Sequence, residues 1–202
     1  STEYSPFDII VSINYCSESV LKENLVLILE FLNNLPSHFN HELSGKNVSI
    51  IADSVIRDAS KYPNLVDSAK LHCSDDLFLE HLDDILMVLE NTKYDKALYN
   101  EKRNKAITDK VVSNAFKYSN LLPIFVNRCS EEVLVEHLDD VLFVLNNSYS
   151  YCDGGGAVSK FIANSVVANA SKYPNLVSKS VGYCSGDVLA INLNEVLTIL
   201  NE

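Results

Sequence analysis

Tryptophan is absent from this chain of 202 residues, methionine occurs once, and glycine and proline number only six and five. So few turn-formers favour helices. Positive charge is also short: 16 Lys and Arg stand against 27 Asp and Glu, for a net charge of -11. That balance works against tight binding to a phosphate backbone, which draws on clustered Lys and Arg. It suits solubility, or a basic partner. Long apolar runs are missing too. The longest, Leu25 to Leu32, is broken by Glu30 and is too short to cross a bilayer. No secretory signal is visible. No G-x-S-x-G, H-E-x-x-H, P-loop or Rossmann fingerprint occurs either. The chain therefore reads as a non-enzyme, with no catalytic, cofactor-binding or metal residue expected.

What is present is repetition. Tyr62-Pro63-Asn64-Leu65-Val66 returns as Tyr173-Pro174-Asn175-Leu176-Val177, and more loosely as Tyr118-Ser119-Asn120-Leu121-Leu122. Each copy leads to a Cys-Ser pair: Cys73-Ser74, Cys129-Ser130 and Cys184-Ser185. A fourth pair, Cys16-Ser17, lies near the start, and the four cysteines are spaced 57, 56 and 55 residues apart. A period this long marks an array of supersecondary units. The repeats run over about 1–48, 49–105, 106–160 and 161–202 of a single helical-repeat domain spanning 1–202.

After each cysteine the chain reads as an amphipathic helix with a serine cap. Ser74-Asp75-Asp76 and Ser130-Glu131-Glu132 set a hydroxyl on a free amide and acids at the positive end of the dipole. Behind the cap, residues such as Leu134, Leu138, Val141, Leu142 and Leu145 fill one helical face. This capped helix is predicted over Ser17–Asn33, Ser74–Glu90, Ser130–Asn146 and Ser185–Asn201. Before the cysteine, Pro6, Pro63 and Pro174 each open a short helix, because proline suits a first turn. Pro123 lies inside the corresponding segment of the third repeat and predicts a distortion there. Upstream lies a leading helix, Ile51–Lys61, Ile107–Lys117 and Ile162–Lys172. Each ends in Lys-Tyr, a cation where the dipole favours one. The first repeat lacks this helix, since few residues precede Pro6. The expected fold is all-α: a right-handed α-solenoid of about four three-helix repeats with a period near 56 residues, the first repeat truncated.

Some residues invite a chemical reading. Stacked repeats sit roughly 10 Å apart, whereas a disulfide needs Cα atoms within about 7 Å. Cys16, Cys73, Cys129 and Cys184 are therefore expected to be reduced and buried. Cys152, beside Gly154-Gly155-Gly156, is expected to be the exposed thiol. With no close C-x-x-C pair, zinc has no framework. Cysteine usage fits a cytoplasmic or other reducing compartment. The Asn- and Lys-rich, Trp-free composition is compatible with a bacterial protein delivered to a host cytosol. Glu80-His81-Leu82-Asp83-Asp84 recurs as Glu136-His137-Leu138-Asp139-Asp140, and His beside carboxylates can serve a metal or acid–base chemistry. The histidine position is Asn24, His81, His137 and Asn192 across the repeats. That pattern reads better as a polar ladder between neighbouring repeats. The stretch Lys93 to Lys110 gathers six cations with Tyr94 and Tyr99. Cations with aromatics can bind single strands, but solvated loop charge is the plainer reading.

The outward face of the capped helix is more suggestive. It holds Asp76, Glu80, Asp83 and Met87 in the second repeat, and Glu132, Glu136, Asp139 and Phe143 in the third. Acids at this spacing repel by about 0.2–0.5 kcal/mol per pair. A protein or peptide partner with basic and apolar groups would relieve them and gain an anchor. Three-helix units with polar outer faces and a continuous apolar interior resemble the armadillo and HEAT class of α-solenoids, from Pro6 to Leu200. That resemblance implies a non-enzymatic protein–protein interaction scaffold. Pro63-Asn64-Leu65-Val66 and Pro174-Asn175-Leu176-Val177 give a weaker likeness to mitochondrial transcription terminator repeats, which implies the alternative of a nucleic-acid-binding repeat protein. A second alternative is an enzyme with an unrecognised site.

Overall fold

The computed structural model describes residues 6–35, 45–91, 101–148 and 157–201. The chain is all-α, with no strand among the described residues. It divides into two compact units, Ser1–Tyr99 and Asn100–Glu202. The division falls beside the predicted start of the third repeat, so two of the predicted repeats fall in each unit. The first unit runs α1 (Pro6–Tyr15), α2 (Glu18–Glu23), α3 (Leu25–Asn33), α4 (Val48–Arg57), α5 (Pro63–Ala69), α6 (Asp75–Glu80) and α7 (Leu82–Glu90). The second runs α8 (Glu101–Val112), α9 (Leu122–Phe125), a 3-10 turn (Val126–Arg128), α10 (Glu131–Glu136), α11 (Leu138–Ser148), α12 (Ala157–Ala168), α13 (Pro174–Ser180) and α14 (Gly186–Leu200).

All four serine caps form. Ser17, Ser74, Ser130 and Ser185 are extended, and each hydroxyl accepts the amide three residues on at 3.4–3.5 Å. The cysteine before each cap has its own task. Its thiol donates to the carbonyl three residues back, at 3.3, 3.9, 3.0 and 3.5 Å for Cys16, Cys73, Cys129 and Cys184. A small side chain thus serves a spare carbonyl at the end of the preceding turn. Cys73 and Cys129 are buried, but Cys16 and Cys184 are only half-buried. The expectation of four buried thiols is corrected for those two. All four are free.

The capped helix is not continuous where the pattern predicts it. It breaks at Asn24, His81 and His137, with φ between -103° and -112° and ψ between 11° and 20°. Only α14 runs through unbroken. The side chain does not cause the break by itself. Asn24 Nδ2 donates to its own Val20 carbonyl at 2.9 Å, and Asn192 makes the same bond to Val188 at 2.8 Å inside the intact helix. Packing accompanies the break. The pieces before it, α6 and α10, lie on the leading helices α4 and α8 of their own repeats. The pieces after it, α3 and α11, lie on the next repeat: α3 on α4 and α5, α11 on α12 and α13. At His137 the bend lets one chain segment serve both neighbours. These local bonds also correct the polar ladder: both asparagines satisfy their own helix, not a neighbouring repeat.

The leading helices start and stop earlier than predicted, at Arg57, Val112 and Ala168. Turns carry the chain on to Lys-Tyr. The lysine does not meet the helix dipole there; it lies over the ring of the next residue. Lys61, Lys117 and Lys172 are 5.1, 5.0 and 5.1 Å from the ring centres of Tyr62, Tyr118 and Tyr173, a cation–π distance. The tyrosines themselves are buried. The distortion expected at Pro123 is present: α9 is a single turn, prolonged only as 3-10 structure.

Packing of α4 on α5 and α6 buries Ile51, Val55, Ile56, Leu65, Val66 and Phe78. In the second unit, α12 on α13 and α14 buries Ile162, Val166, Val167, Leu176 and Val177. Each such side chain contributes about 1.5–3 kcal/mol. Two polar bonds fix these layers. Asp53 Oδ1 accepts the Ser74 amide at 3.0 Å, and Asn164 Oδ1 accepts the Ser185 amide at 2.8 Å. An asparagine bracket then joins the repeats within each unit. Asn33 Oδ1 accepts the Asn64 amide at 3.1 Å, while Asn64 Nδ2 donates to the Asn33 carbonyl at 2.8 Å. Asn146 and Asn175 repeat both bonds at 3.0 Å. The last helix is different. Leu142 and Leu145 of α11 are covered, but Leu197 and Leu200, at the same repeat positions in α14, are 47% and 44% exposed.

Candidate interaction surface

The serine cap sets the register of each capped helix, and that register turns the acids outward. Asp76, Glu80, Asp83 and Met87 are exposed in the first unit; Glu132, Glu136, Asp139 and Phe143 are exposed in the second. The break divides each row. Asp76 and Glu80 lie on α6 and Asp83 and Met87 on α7, as Glu132 and Glu136 lie on α10 and Asp139 and Phe143 on α11.

The acids are not equivalent. Asp139 accepts the Tyr173 phenol at 3.0 Å and pairs with Lys172 at 3.1 Å. The bonds from Lys172 and then Tyr173 hold its carboxyl below the usual carboxylate range. Tyr173 and Asp139 together hold Lys172 above its own. Asp139 therefore ties α11 to the Lys-Tyr turn that follows α12, and it is structural as well as exposed. Lys105 of α8 pairs with Asp109, which raises its pKa, with a smaller pull from Glu132. The second unit thus mixes acids with cations at this surface.

Phe116 completes the surface and was missed by sequence reasoning. It lies in the turns after α8, where the other repeats carry Ser60 and Ser171. Its ring packs on Phe143 with centroids 5.7 Å apart and planes tilted by 53°. Tilted pairs gain about 0.5–1.5 kcal/mol beyond simple burial. Yet the two residues remain 59% and 54% exposed, so most of this aromatic area stays in water. Asp139 sits one helical turn before Phe143. The available signal was the alignment of the three leading segments, in which one small polar position becomes phenylalanine. Met87 and Ser60 occupy the corresponding positions of the second repeat, which has no aromatic pair there.

The other candidate chemistry does not assemble. Among the described residues, no group of three or more His, Cys, Asp or Glu could hold a metal ion. His81 Nδ1 is 3.6 Å from Asp84 Oδ2, longer than a hydrogen bond. Of the cationic stretch, Arg103 is buried and Lys105 is paired with Asp109. Lys93, Lys96, Tyr94 and Tyr99 lie outside the described residues, as do Cys152 and Gly154 to Gly156. No helix among the described residues is long and apolar enough to cross a membrane. No protein-family model, curated protein or solved structure matches the chain.

Proposed function

We propose that this chain is a non-enzymatic interaction scaffold, an α-solenoid of four helical repeats. Its outward faces would hold a protein or peptide partner with basic and apolar groups. The observation that carries this reading is the Phe116–Phe143 pair, two exposed rings in contact beside Asp139. Exposed aromatics of this size serve as anchors when a partner desolvates them. Recurring caps, brackets and packing within each unit support the repeat architecture. Four free thiols support a reducing compartment.

The test is comparative capture. A partner retained by the wild-type chain should bind the Phe116→Ser/Phe143→Ala variant at least about tenfold more weakly, mainly through faster dissociation. Glu132→Lys/Glu136→Lys should slow association and flatten its salt dependence. If every retained partner binds the aromatic variant as tightly as the wild type, with helicity unchanged, the surface is solvent-facing only.

A further inference from the structure

In the fourth repeat Glu195 of α14 accepts the amide of Ser171 at 3.0 Å, and its hydroxyl as well. The third repeat has Asp140 at the position of Glu195 and Phe116 at the position of Ser171. Phenylalanine brings no hydroxyl, and aspartate is one methylene shorter. Asp140 is exposed and has no hydrogen-bond or ion-pair partner among the described residues. It stands three residues before Phe143 on α11. The two side chains are therefore neighbours on one helical face, with about 5–6 Å between Cβ atoms. Phe143 in turn carries the Phe116 ring, 5.7 Å from centre to centre. A carboxylate thus borders two exposed rings. The neighbouring Asp139 shows what such a combination holds. There Lys172 meets both a carboxylate and a ring, 3.1 Å from Asp139 and 5.1 Å from the ring centre of Tyr173. Two further cations of this unit are engaged elsewhere: Lys105 pairs with Asp109, and Lys117 lies over Tyr118.

We propose that Asp140, Phe143 and Phe116 form a docking point for one arginine side chain of a partner protein, an inference that rests on the interaction surface proposed above. The planar guanidinium lies on a ring face, where a cation is attracted, and turns its N–H fork to the Asp140 carboxylate. Lysine fits less well, because its ammonium is a compact, strongly hydrated charge with no plane to stack. Apolar residues beside the arginine cover the remaining ring area. The chain itself is poor in the required group. It has three arginines: Arg57 belongs to the first unit, Arg103 is buried, and Arg128 is the one exposed arginine of the second unit. A second copy offering Arg128 would bring a net charge of -11 against another of -11. The site is particular to the third repeat. The ring positions are Ser60 and Met87 in the second repeat and Ser171 and Thr198 in the fourth.

The probes are two blocked tripeptides, Leu-Arg-Leu and Leu-Lys-Leu, titrated into the isotope-labelled full chain and read by amide chemical shifts. Leu-Arg-Leu should bind saturably, with a dissociation constant of about 1 mM, and should move the amides of Phe116, Asp140 and Phe143. Leu-Lys-Leu carries the same charge and should bind at least about fivefold more weakly. Asp140→Asn should remove that preference with the circular dichroism spectrum unchanged. Asp187→Asn, which deletes the same charge from the exposed start of α14, should keep it. No saturable binding, equal binding of the two peptides, or a preference that survives Asp140→Asn would each overturn the proposal. So would a preference lost equally in Asp187→Asn, which would make net charge the cause. The scaffold reading fails separately. A retained partner that needs Phe116 and Phe143 yet binds the Asp140→Asn chain as tightly as the wild type would sink the arginine and leave the scaffold standing.

Discussion

Replacing Asn146 by alanine should destabilise the second unit by about 1 kcal/mol, the cost of a lost helix cap. Pro174 opens α13 and has no amide, and Tyr173 offers no side-chain cap. The next amide, that of Asn175, is served by Asn146 Oδ1 at 3.0 Å. Asn146→Ala removes that acceptor. The reverse bond, from Asn175 Nδ2 to the Asn146 carbonyl at 3.0 Å, uses the main chain and survives. Asn175 is exposed, so water can take over part of the lost bond and the cost stays well below that of a core truncation. Leu176→Ala, one residue on, should cost about 2–5 kcal/mol and sets the upper scale. Asn146→Asp keeps an oxygen aimed at a helix N-terminus and should stay within about 0.5 kcal/mol of wild type. Urea unfolding reads these differences: with a slope near 2 kcal/mol per M, 1 kcal/mol moves the midpoint by about 0.5 M. If Asp falls as far as Ala, or if Ala matches wild type, the bracket is not what holds α13 to α11.

Thiol labelling should divide the cysteines by position. Cys16 and Cys184 should react before Cys73 and Cys129, and the Cys129 rate should stay low yet keep climbing about tenfold per pH unit from pH 7 to 10 without levelling, because burial pushes that thiol up to about 11. The raised value also carries a stability signature: above the ordinary thiol range the unfolded chain loses its proton first, so stability should fall as pH climbs towards about 11. Thr108 stands where the other leading helices carry Ala52 and Ala163, and its hydroxyl is buried with no hydrogen bond. Thr108→Val should therefore raise stability by about 1 kcal/mol in the same urea assay; a loss would show that the hydroxyl is satisfied in solution. His137 makes no side-chain hydrogen bond among the described residues, so His137→Asn and His137→Leu should both stay within about 0.5 kcal/mol of wild type. A larger loss in the Leu variant alone would restore a polar partner.

The parts of this fold that are legible in sequence are those fixed by a few neighbouring residues. A serine before two acids, or a proline before an apolar pair, specifies its own helix start. All four caps and the positions of α5 and α13 follow from that. What is illegible is set by neighbours distant in the chain. The breaks at Asn24, His81 and His137 sit inside unbroken helical periodicity; at His137 the pieces pack on different repeats, α10 on α8 and α11 on α12 and α13. Cys16 and Cys73 share a motif but differ in cover: Cys73 is buried where α4 packs on α5 and α6, and Cys16 is half-buried among the described residues. Of the interaction surface, the exposed acids and Phe143 were readable from helical angle. Phe116 was not, because its partner lies on another helix.

The uncovered leucines of α14 give the acidity of the chain a second meaning. Leu197 and Leu200 are 47% and 44% exposed, and Ile191 on the same helix is 82% exposed. Ile191 stands at the outward position of Glu80 and Glu136 and the two leucines on the other side, so the helix exposes apolar side chains on both faces. Such side chains are sticky, and mutual repulsion between molecules that each carry a net charge of -11 opposes their association. That repulsion is a function of pH. It vanishes near the isoelectric point of about 4.8, while the leucines are unchanged. The chain should therefore show a sharp solubility minimum there, and Leu197→Lys/Leu200→Lys should shift that minimum upward and make it shallower. The surplus carboxylates act in this respect as a colloidal coat, spread over the whole surface for the sake of one bare helix.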